Sequence, residues 1–553
     1  MVAKQYLKIN TGRNVTVAPI EEPKILTKSI VSEPAFYAFA AQNGGFVIVA
    51  GDDRLSPVIG WSPSGSLTFD DMPANIAEWF DMWRNIVEGI RSGRVEAKAS
   101  VEAEWVEIEK GRIPFYAASG KQLETAQWDQ TAPYNRYCPS NTYAGCVAVA
   151  TAITMRYHQW PPRGQGTLPS YTYPGDDNTT LTESEIPLGH EYNWDNMPLI
   201  VNDSCTDSQI NAVSQLIHET GVMVKSQYGS DGTGAYTSDV FQGLIDYYFY
   251  DQSAMYYFHE YFTVDEWCAM IIDNLENVGP VIHTGSGEEG GHAFVVDGYS
   301  GQNQFHINWG WGGRNNGSYA FPGFAEFVEN QCMILNIKKD EGGSITELLC
   351  IDGAGQENGL SASVTEFKIG EPFDFECKYI FNLSTRMFDG EIALAVRHRD
   401  GSIGEIVGTD EMKISSFGGY SLKYTECVLE EDILIGDRLC MWYRSENTPE
   451  WTFAKGNVEE NTICEVPIAD AQSIEEVTSF RYTSSSRELM VSTKADAQWV
   501  LADEIGNTYT EGITFDNGAL SIDTNKFEKK SYFLTLTKGY DTKTVEFVFG
   551  SKK

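Results

Sequence analysis

Gln127-Trp128-Asp129-Gln130-Thr131-Ala132-Pro133-Tyr134-Asn135, followed by Gly145-Cys146-Val147-Ala148-Val149-Ala150, is the stretch on which the rest of the chain turns. Cys146 follows a glycine and opens a run of small and β-branched residues. That run ends before Pro161-Pro162, which bars further helix. The pattern places Cys146 at the first position of a buried helix, where orphan N–H groups and the helix dipole favour a thiolate. Gln130, sixteen residues upstream, carries a side-chain amide suited to an oxyanion. Taken alone, Cys146 reads equally well as a buried structural cysteine.

A second stretch alters that balance. Gly290-Gly291-His292-Ala293-Phe294-Val295-Val296-Asp297-Gly298-Tyr299 sets a histidine at the head of an apolar strand. Phe305-His306-Ile307-Asn308-Trp309-Gly310-Trp311-Gly312-Gly313 sets an asparagine beside two tryptophans. His292 lies 146 residues after Cys146, and Asn308 a further sixteen on, a spacing natural for adjacent strands of a hairpin. Papain-like enzymes order Cys, His, Asn with the later two roughly 130–150 residues downstream. Cys, His, Asn and an upstream Gln are the set that a cysteine peptidase needs.

These motifs together resemble the streptopain family of secreted cysteine peptidases. Carrying the resemblance are Trp128-Asp129-Gln130, Pro133-Tyr134-Asn135, Cys138-Pro139, Gly145-Cys146-Val147-Ala148, Gly291-His292-Ala293-Phe294, Asp297-Gly298-Tyr299 and Asn308-Trp309-Gly310-Trp311-Gly312-Gly313. The resemblance implies an α+β chain: a papain-like two-part peptidase fold, an N-terminal α+β pro-domain, and all-β sandwich modules behind. It implies catalytic Cys146, His292, Gln130 and Asn308, and a preference for a hydrophobic residue second before the cut. By analogy, substrate-binding positions fall on Gly229, Ser230, Gly232, Gly234, Gly291 and Trp309.

The chain has 553 residues, 40 basic against 78 acidic, for a net charge of −38. Such a surface repels nucleic acid and anionic membrane and suits solubility outside the cell. No apolar run is long enough for a membrane helix. Met1-Val2-Ala3-Lys4-Gln5-Tyr6 does not read as a signal peptide, which leaves a removed leader or an intracellular protein; the family resemblance implies a removed leader. The ten cysteines form no CxxC pair, which argues against structural zinc and against a dense disulfide scaffold. No cofactor and no metal are expected, and the chain is expected to act as a monomer.

Four units are expected: an inhibitory pro-domain at 1–115, the peptidase at 116–340, an immunoglobulin-like β-sandwich at 345–467 and a further all-β module at 472–553. In the first, residues 35–39 and 46–50 read as strands and 75–87 as an amphipathic helix. Residues 98–124, polar and carrying Lys98, Lys110, Arg112 and Lys121, are the expected processing junction. Periodicity predicts helices over 208–224, 238–250 and 264–275, with β-structure from Pro280. Gly285–Gly291 reads as a glycine-dense loop, either a plain hairpin or a ligand-side loop. Gly229–Ala235 is glycine-rich but lacks the strand-then-helix context of a phosphate loop. His283 and His306 read as core or surface residues rather than metal ligands, and Gly175–Asn178 as a solvated turn. One of the two indoles, Trp309 or Trp311, is expected to shield a bond between His292 and Asn308.

Two classes of function follow: a peptidase zymogen held by its own pro-domain and acting on proteins or peptides, or an adhesion protein using its β-modules with a vestigial peptidase. A papain-like amidase would share the chemistry. Retention of Gln130, Cys146, His292 and Asn308 favours the enzyme.

Overall fold

The computed structural model describes residues 1–12, 14–20, 34–69, 72, 74–94, 101–112, 120–175, 179–287, 290–300, 304–321, 331–351, 359–365, 367–431, 436–456, 465–467, 478–483, 487–493, 497–515, 518–528, 530–538 and 541–548. Two compact units emerge, one built mainly from Met1–Glu347 and the other from Leu348 onward.

In the first unit the helices pack around Cys146–His158. Asp207–Met223 crosses it; a capping box of Thr206 and Gln209 starts this helix by satisfying orphan N–H groups. Val149 and Ile153 of one helix and Leu216 and Ile217 of the other are buried in one core. Thr220 Oγ1 donates to the Ala148 carbonyl at 3.0 Å, fixing the register of the pair. Val264–Asn277 is capped in the same way by Thr263 and Glu266. The periodicity placed these helices within two residues of their observed ends; Ser238–Tyr248 also ends two residues early.

The β-part is an eleven-stranded sheet. Its centre runs Gly317–Ala320, Gln304–Asn308, Gly290–Ser300, Val281–Gly287, Cys332–Leu335 and Met255–Phe258, all antiparallel. Gly285, Ser286 and Gly287 pair with His292, Gly291 and Gly290, so the glycine-dense stretch is mostly ladder rather than loop; residues 288–289 lie outside the described residues. Glycines there lack side chains but keep both backbone hydrogen-bonding groups, and the strands continue through them.

The N-terminal region extends this same sheet. Val17–Ile20, Phe36–Ala41, Phe46–Ala50 and Val58–Ser62 follow in order, and Val58–Ser62 joins Gly317–Ala320. The amphipathic helix is Ala74–Ser92. Two elements differ from the sequence reading. Val2–Thr11 is a helix, and so is Val101–Glu109 inside the expected junction. Trp105 Nε1 of the latter donates to the Leu55 carbonyl at 2.8 Å. Lys121 stands on the strand Gly120–Gln122, paired with Gly290–Ser300, and its Nζ caps the Leu275 carbonyl at 2.8 Å. Of the expected junction, 98–124, residues 101–109 are thus helix and 120–122 strand. Lys98 and residues 113–119 lie outside the described residues, as do 176–178 of the predicted turn.

In the second unit two five-stranded sheets face each other. Phe375 and Ile380 of one and Ile392, Leu394 and Met441 of the other share a core. Beyond it, three- and four-stranded sheets enclose Leu501, Ile522 and Leu534. Among the described residues no helix is long and apolar enough to cross a membrane.

Leu216 is fully buried between the two crossing helices. Leu216→Ala is expected to destabilise the first unit by about 2–5 kcal/mol, read as a lower urea midpoint at unchanged slope.

Candidate active site

Gly145 has φ 96° and ψ 138°, a conformation that releases the chain directly into the helix at Cys146. A Cβ at Gly145 would also stand 2.9 Å from Thr233 Cγ2. Gly145 is thus required twice, for its φ and for the loop that lies against it. That loop is anchored by Thr233 Oγ1, which donates to the Tyr143 carbonyl at 2.6 Å. Cys146 is half-buried at the helix N-terminus.

His292 is brought opposite from the strand Gly290–Ser300 and is 8% exposed. Its Nε2 is 3.0 Å from the Trp309 carbonyl. A carbonyl only accepts, so Nε2 carries a hydrogen in either charge state, and Nδ1 is the position that exchanges a proton with Cys146. The two side chains hydrogen-bond. Burial works against the Cys146 thiolate, but the His292 charge and hydrogen bond, with the N–H groups of Ala293 and Val147, outweigh it and hold the thiol below its usual range. Burial likewise opposes the imidazolium, and the Cys146 thiolate with the Trp309 carbonyl raises His292 above the ordinary imidazole range. The structure therefore favours an ion pair in a protected site.

Gln130 is 5% exposed, and its Nε2 has no hydrogen-bond partner. A buried amide donor left unpaired is what a site awaiting a transient oxyanion requires. Its backbone is fixed on both sides: the N–H donates to Asp129 Oδ1 at 2.7 Å, and the carbonyl accepts from Ala144 N at 2.9 Å.

Two sequence expectations need correction. Asn308 does not hold the His292 ring. Its Nδ2 donates to Thr125 Oγ1 at 3.0 Å and to the Ala126 carbonyl at 2.8 Å, while its Oδ1 accepts from Gly310 N at 3.2 Å. The position expected for its side chain is taken by the carbonyl of the next residue. Trp309 does not line a cleft either: it is 2% exposed, its Nε1 donates to the Asn315 carbonyl, and its ring packs on Phe294 and Tyr319. The indole that covers the imidazole is Trp311, half-buried and stacked on His292 at 5.9 Å and 12° between planes. Two tryptophans flanking a glycine look alike in sequence; only the turn geometry separates them.

The remaining expected positions fall near the pair in different ways. Gly229 N donates to Thr233 Oγ1, and Gly234 bridges Gln227. Gly232 and Gly234 face open space at their Cα, and Gly291 is exposed in the strand beside His292. Ser230 sits on the same exposed loop. His283, by contrast, is buried against Trp267, and burial pulls it down to about 3. Among the described residues no group of metal-ligating side chains forms. Thr233, which anchors the loop, was not singled out from sequence, and no spacing signal marks it.

Comparison with known proteins agrees with this geometry. Residues 128–319 match the Peptidase C10 family, and residues 1–87 match the Spi protease inhibitor family. Streptopain of Streptococcus pyogenes is 32% identical over 298 residues, 51% of this chain and 73% of that protein. The thiol protease/hemagglutinin PrtT of Porphyromonas gingivalis is 30% identical over 295 residues, 52% of this chain, which spans about a third of PrtT's length, 34%. Among solved structures, a prointerpain A fragment from Prevotella intermedia is 26% identical, aligned over 59% of this chain and 99% of its own with a TM-score of 0.45. With Cys146 opening a helix against His292 inside the matched region, the chain belongs to the Peptidase C10 family of streptopain-like cysteine peptidases.

Proposed function

We propose that this chain is the zymogen of a secreted cysteine endopeptidase, which hydrolyses peptide bonds through a thioester on Cys146. The observation that carries the proposal is the Cys146–His292 pair, together with the buried, unpaired Gln130 amide on a segment tied by its backbone to Ala144, two residues before Cys146. The thiolate attacks the scissile carbonyl carbon, and the carbonyl electrons move onto oxygen. Gln130 Nε2 and the Cys146 backbone N–H receive that oxyanion. His292 Nδ1 gives its proton to the leaving amine as the C–N bond breaks. Water, deprotonated by the same nitrogen, then cleaves the thioester and restores the pair. The loop carrying Gly229, Ser230, Gly232 and Gly234, together with Gly291 beside His292, is the proposed substrate-side surface. Secretion is proposed from the family reading together with the strongly acidic composition.

Residues 1–115 are proposed as the inhibitor in cis. They hold the turn next to the site: Thr68 N donates to Asn315 Oδ1 at 3.1 Å, Asn315 N to the Ser66 carbonyl at 3.0 Å, and Trp79 Nε1 to the Ala320 carbonyl at 3.3 Å. On one chain even weak contacts act at high effective concentration, and one cut turns them into ordinary bimolecular binding. The cut is proposed between Arg112 and Gly120, since upstream lies the helix Val101–Glu109 and downstream the strand Gly120–Gln122. The peptidase at 116–340, the immunoglobulin-like module at 345–467 and the all-β module at 472–553 complete the proposed organisation.

Wild-type chain is expected to shorten by roughly 12 kDa on incubation, from ~115 residues at ~110 Da each, and to cleave a peptide substrate after a lag. Cys146→Ala should stay full length until active enzyme is added, and then be cut without gaining activity. An uncut full-length chain as active from time zero as the processed one would overturn the inhibitor assignment. A Cys146→Ala chain that turns over peptide would overturn the nucleophile.

The ion pair sets a second expected outcome. Alkylation of Cys146 by iodoacetamide, followed by peptide mapping, should stay fast at pH values below the ordinary thiol range, because the thiolate persists there. It should change again only where His292 titrates, above the ordinary imidazole range. In His292→Ala the burial cost remains and the charge partner is lost, so the rise in rate should move to higher pH, at or above the ordinary thiol range.

A further inference from the structure

Asn308 is 1% exposed, and all three of its polar positions are used; yet it touches neither reacting side chain. Its orientation is set by what it meets. Turned over, its Nδ2 would face the Gly310 N–H and its oxygen the Ala126 carbonyl, like against like on both sides. The observed orientation also requires Thr125 Oγ1 to be an acceptor. A hydroxyl has one hydrogen, and that of Thr125 goes to Asp297 Oδ2. Asp297 is 2% exposed; its Oδ2 accepts from Thr125, and its other oxygen meets His306 Nδ1. The Asp297 backbone carbonyl also accepts from Leu123 N at 2.7 Å.

The direction of every bond in this row is thus fixed: Asn308 donates to Thr125, and Thr125 donates to Asp297. At its far end the Asn308 oxygen holds Gly310 N, and between Asn308 and Gly310 lies Trp309, whose carbonyl holds His292 Nε2. On the reading of Cys146 and His292 as the reacting pair, we propose that Asp297 and Thr125 are positioning residues for catalysis. They polarise and lock Asn308, which presents the Trp309 carbonyl that selects the His292 tautomer. Thr125 stands only three residues beyond the strand Gly120–Gln122, on the segment that leads to Gln130. The same row therefore ties the oxyanion side of the site to the histidine side.

The test compares Thr125→Val, which keeps the shape and loses the hydroxyl, with Thr125→Ser, which restores it. Both are made in the full chain and assayed after processing by added active enzyme, whose own contribution is subtracted using Cys146→Ala chain processed in parallel. Thr125→Val is expected to lower kcat about tenfold, the scale of one buried charge-assisted hydrogen bond, with KM within about twofold. Thr125→Ser should recover most of the loss. Thermal midpoints measured alongside separate this from general destabilisation, since a purely structural role would lower both variants' stability and leave kcat of the folded fraction unchanged. A kcat for Thr125→Val within twofold of wild type, or no recovery in Thr125→Ser, overturns the proposal. Should Thr125→Val not fold, substitutions at Asp297 carry the test. Asp297→Asn can keep its oxygen on Thr125 with its Nδ2 donating to His306 Nδ1, so Asp297→Leu, which removes both oxygens, is compared with it. A several-fold lower kcat is expected for Asp297→Leu and recovery for Asp297→Asn, and a wild-type kcat in Asp297→Leu overturns the relay. An inactive wild-type chain would instead overturn the peptidase reading itself.

Discussion

Gly312 N donates to the Trp128 carbonyl at 2.9 Å, and around this bond the two halves of the peptidase region close on each other. The approach leaves no room for side chains. A Cβ on Gly312, at φ 63°, would stand 3.0 Å from Asp129 Oδ2, and one on Gly313, at φ 85°, would stand 2.6 Å from Gln127 Oε1. Both are left-handed positions in which L-residues are also strained. The segment Gln127–Gln130 leads to the proposed oxyanion donor and, through Ala144, to Cys146. The turn Asn308–Gly313 supplies the carbonyl and the indole that frame His292. Docking one on the other brings Cys146 and His292 within reach of the bond they share across the halves.

That docking makes an otherwise costly charge arrangement tenable. Two buried ions lose hydration that their mutual attraction repays only when their remaining hydrogen-bonding positions are filled. For His292 the Trp309 carbonyl fills the second nitrogen, and for Cys146 the N–H groups of Ala293 and Val147 assist the sulfur. Trp311 lies flat over the ring and limits access of water, which would weaken each of these terms. Stability of the pair and reactivity of the thiolate therefore have the same source. Removing any one supporting atom raises the cost of the charge as well as misplacing the group.

How much of this can be read from sequence depends on whether the functional atom belongs to a side chain. Cys146 and His292 are legible because their residue types and flanking patterns report directly on chemistry and local structure. Helices such as Asp207–Met223 are legible because burial on one face imposes a 3.6-residue period. The Trp309 carbonyl is illegible, because a backbone acceptor has no residue code; the neighbouring Asn308 draws attention to itself and is then found facing the other way. In the stretch Gly285–Gly291, of the two readings, hairpin or ligand-side loop, the strands pair as a hairpin, with the ladder running on through Gly285–Gly287 and Gly290–Gly291. Val101–Glu109 was hidden by its acidic content, although Val101, Trp105 and Ile108 recur at helical spacing. The Met1–Thr11 region shows the reverse problem: a short polar segment that folds because Tyr6 and Leu7 find a partner core elsewhere.

The sheet shared between the N-terminal region and the peptidase region bears on how the proposed inhibition could be both firm and reversible. Continuous pairing of long strands would make the inhibitor inseparable from the enzyme. Here the described junction is short: Ser318 faces Trp61 and Tyr319 faces Gly60. Short edge pairing limits the number of backbone hydrogen bonds that release must exchange for water, each with a small net cost. Side-chain contacts add to this: Trp79 Nε1 donates to the Ala320 carbonyl, Gln304 Nε2 donates to the Val58 carbonyl, and Asn315 is held by Ser66 and Thr68 from outside. From inside, the Asn315 carbonyl accepts from Trp309 Nε1 at 3.1 Å and Tyr319 OH at 2.5 Å, bonds that do not involve the N-terminal region at all. On the proposed reading, departure of the N-terminal region would strip the outer contacts from Asn315 while the inner ones keep the turn in place. The covering element and the turn it covers are held by different atoms of the same residue, so unmasking the site does not require rebuilding it.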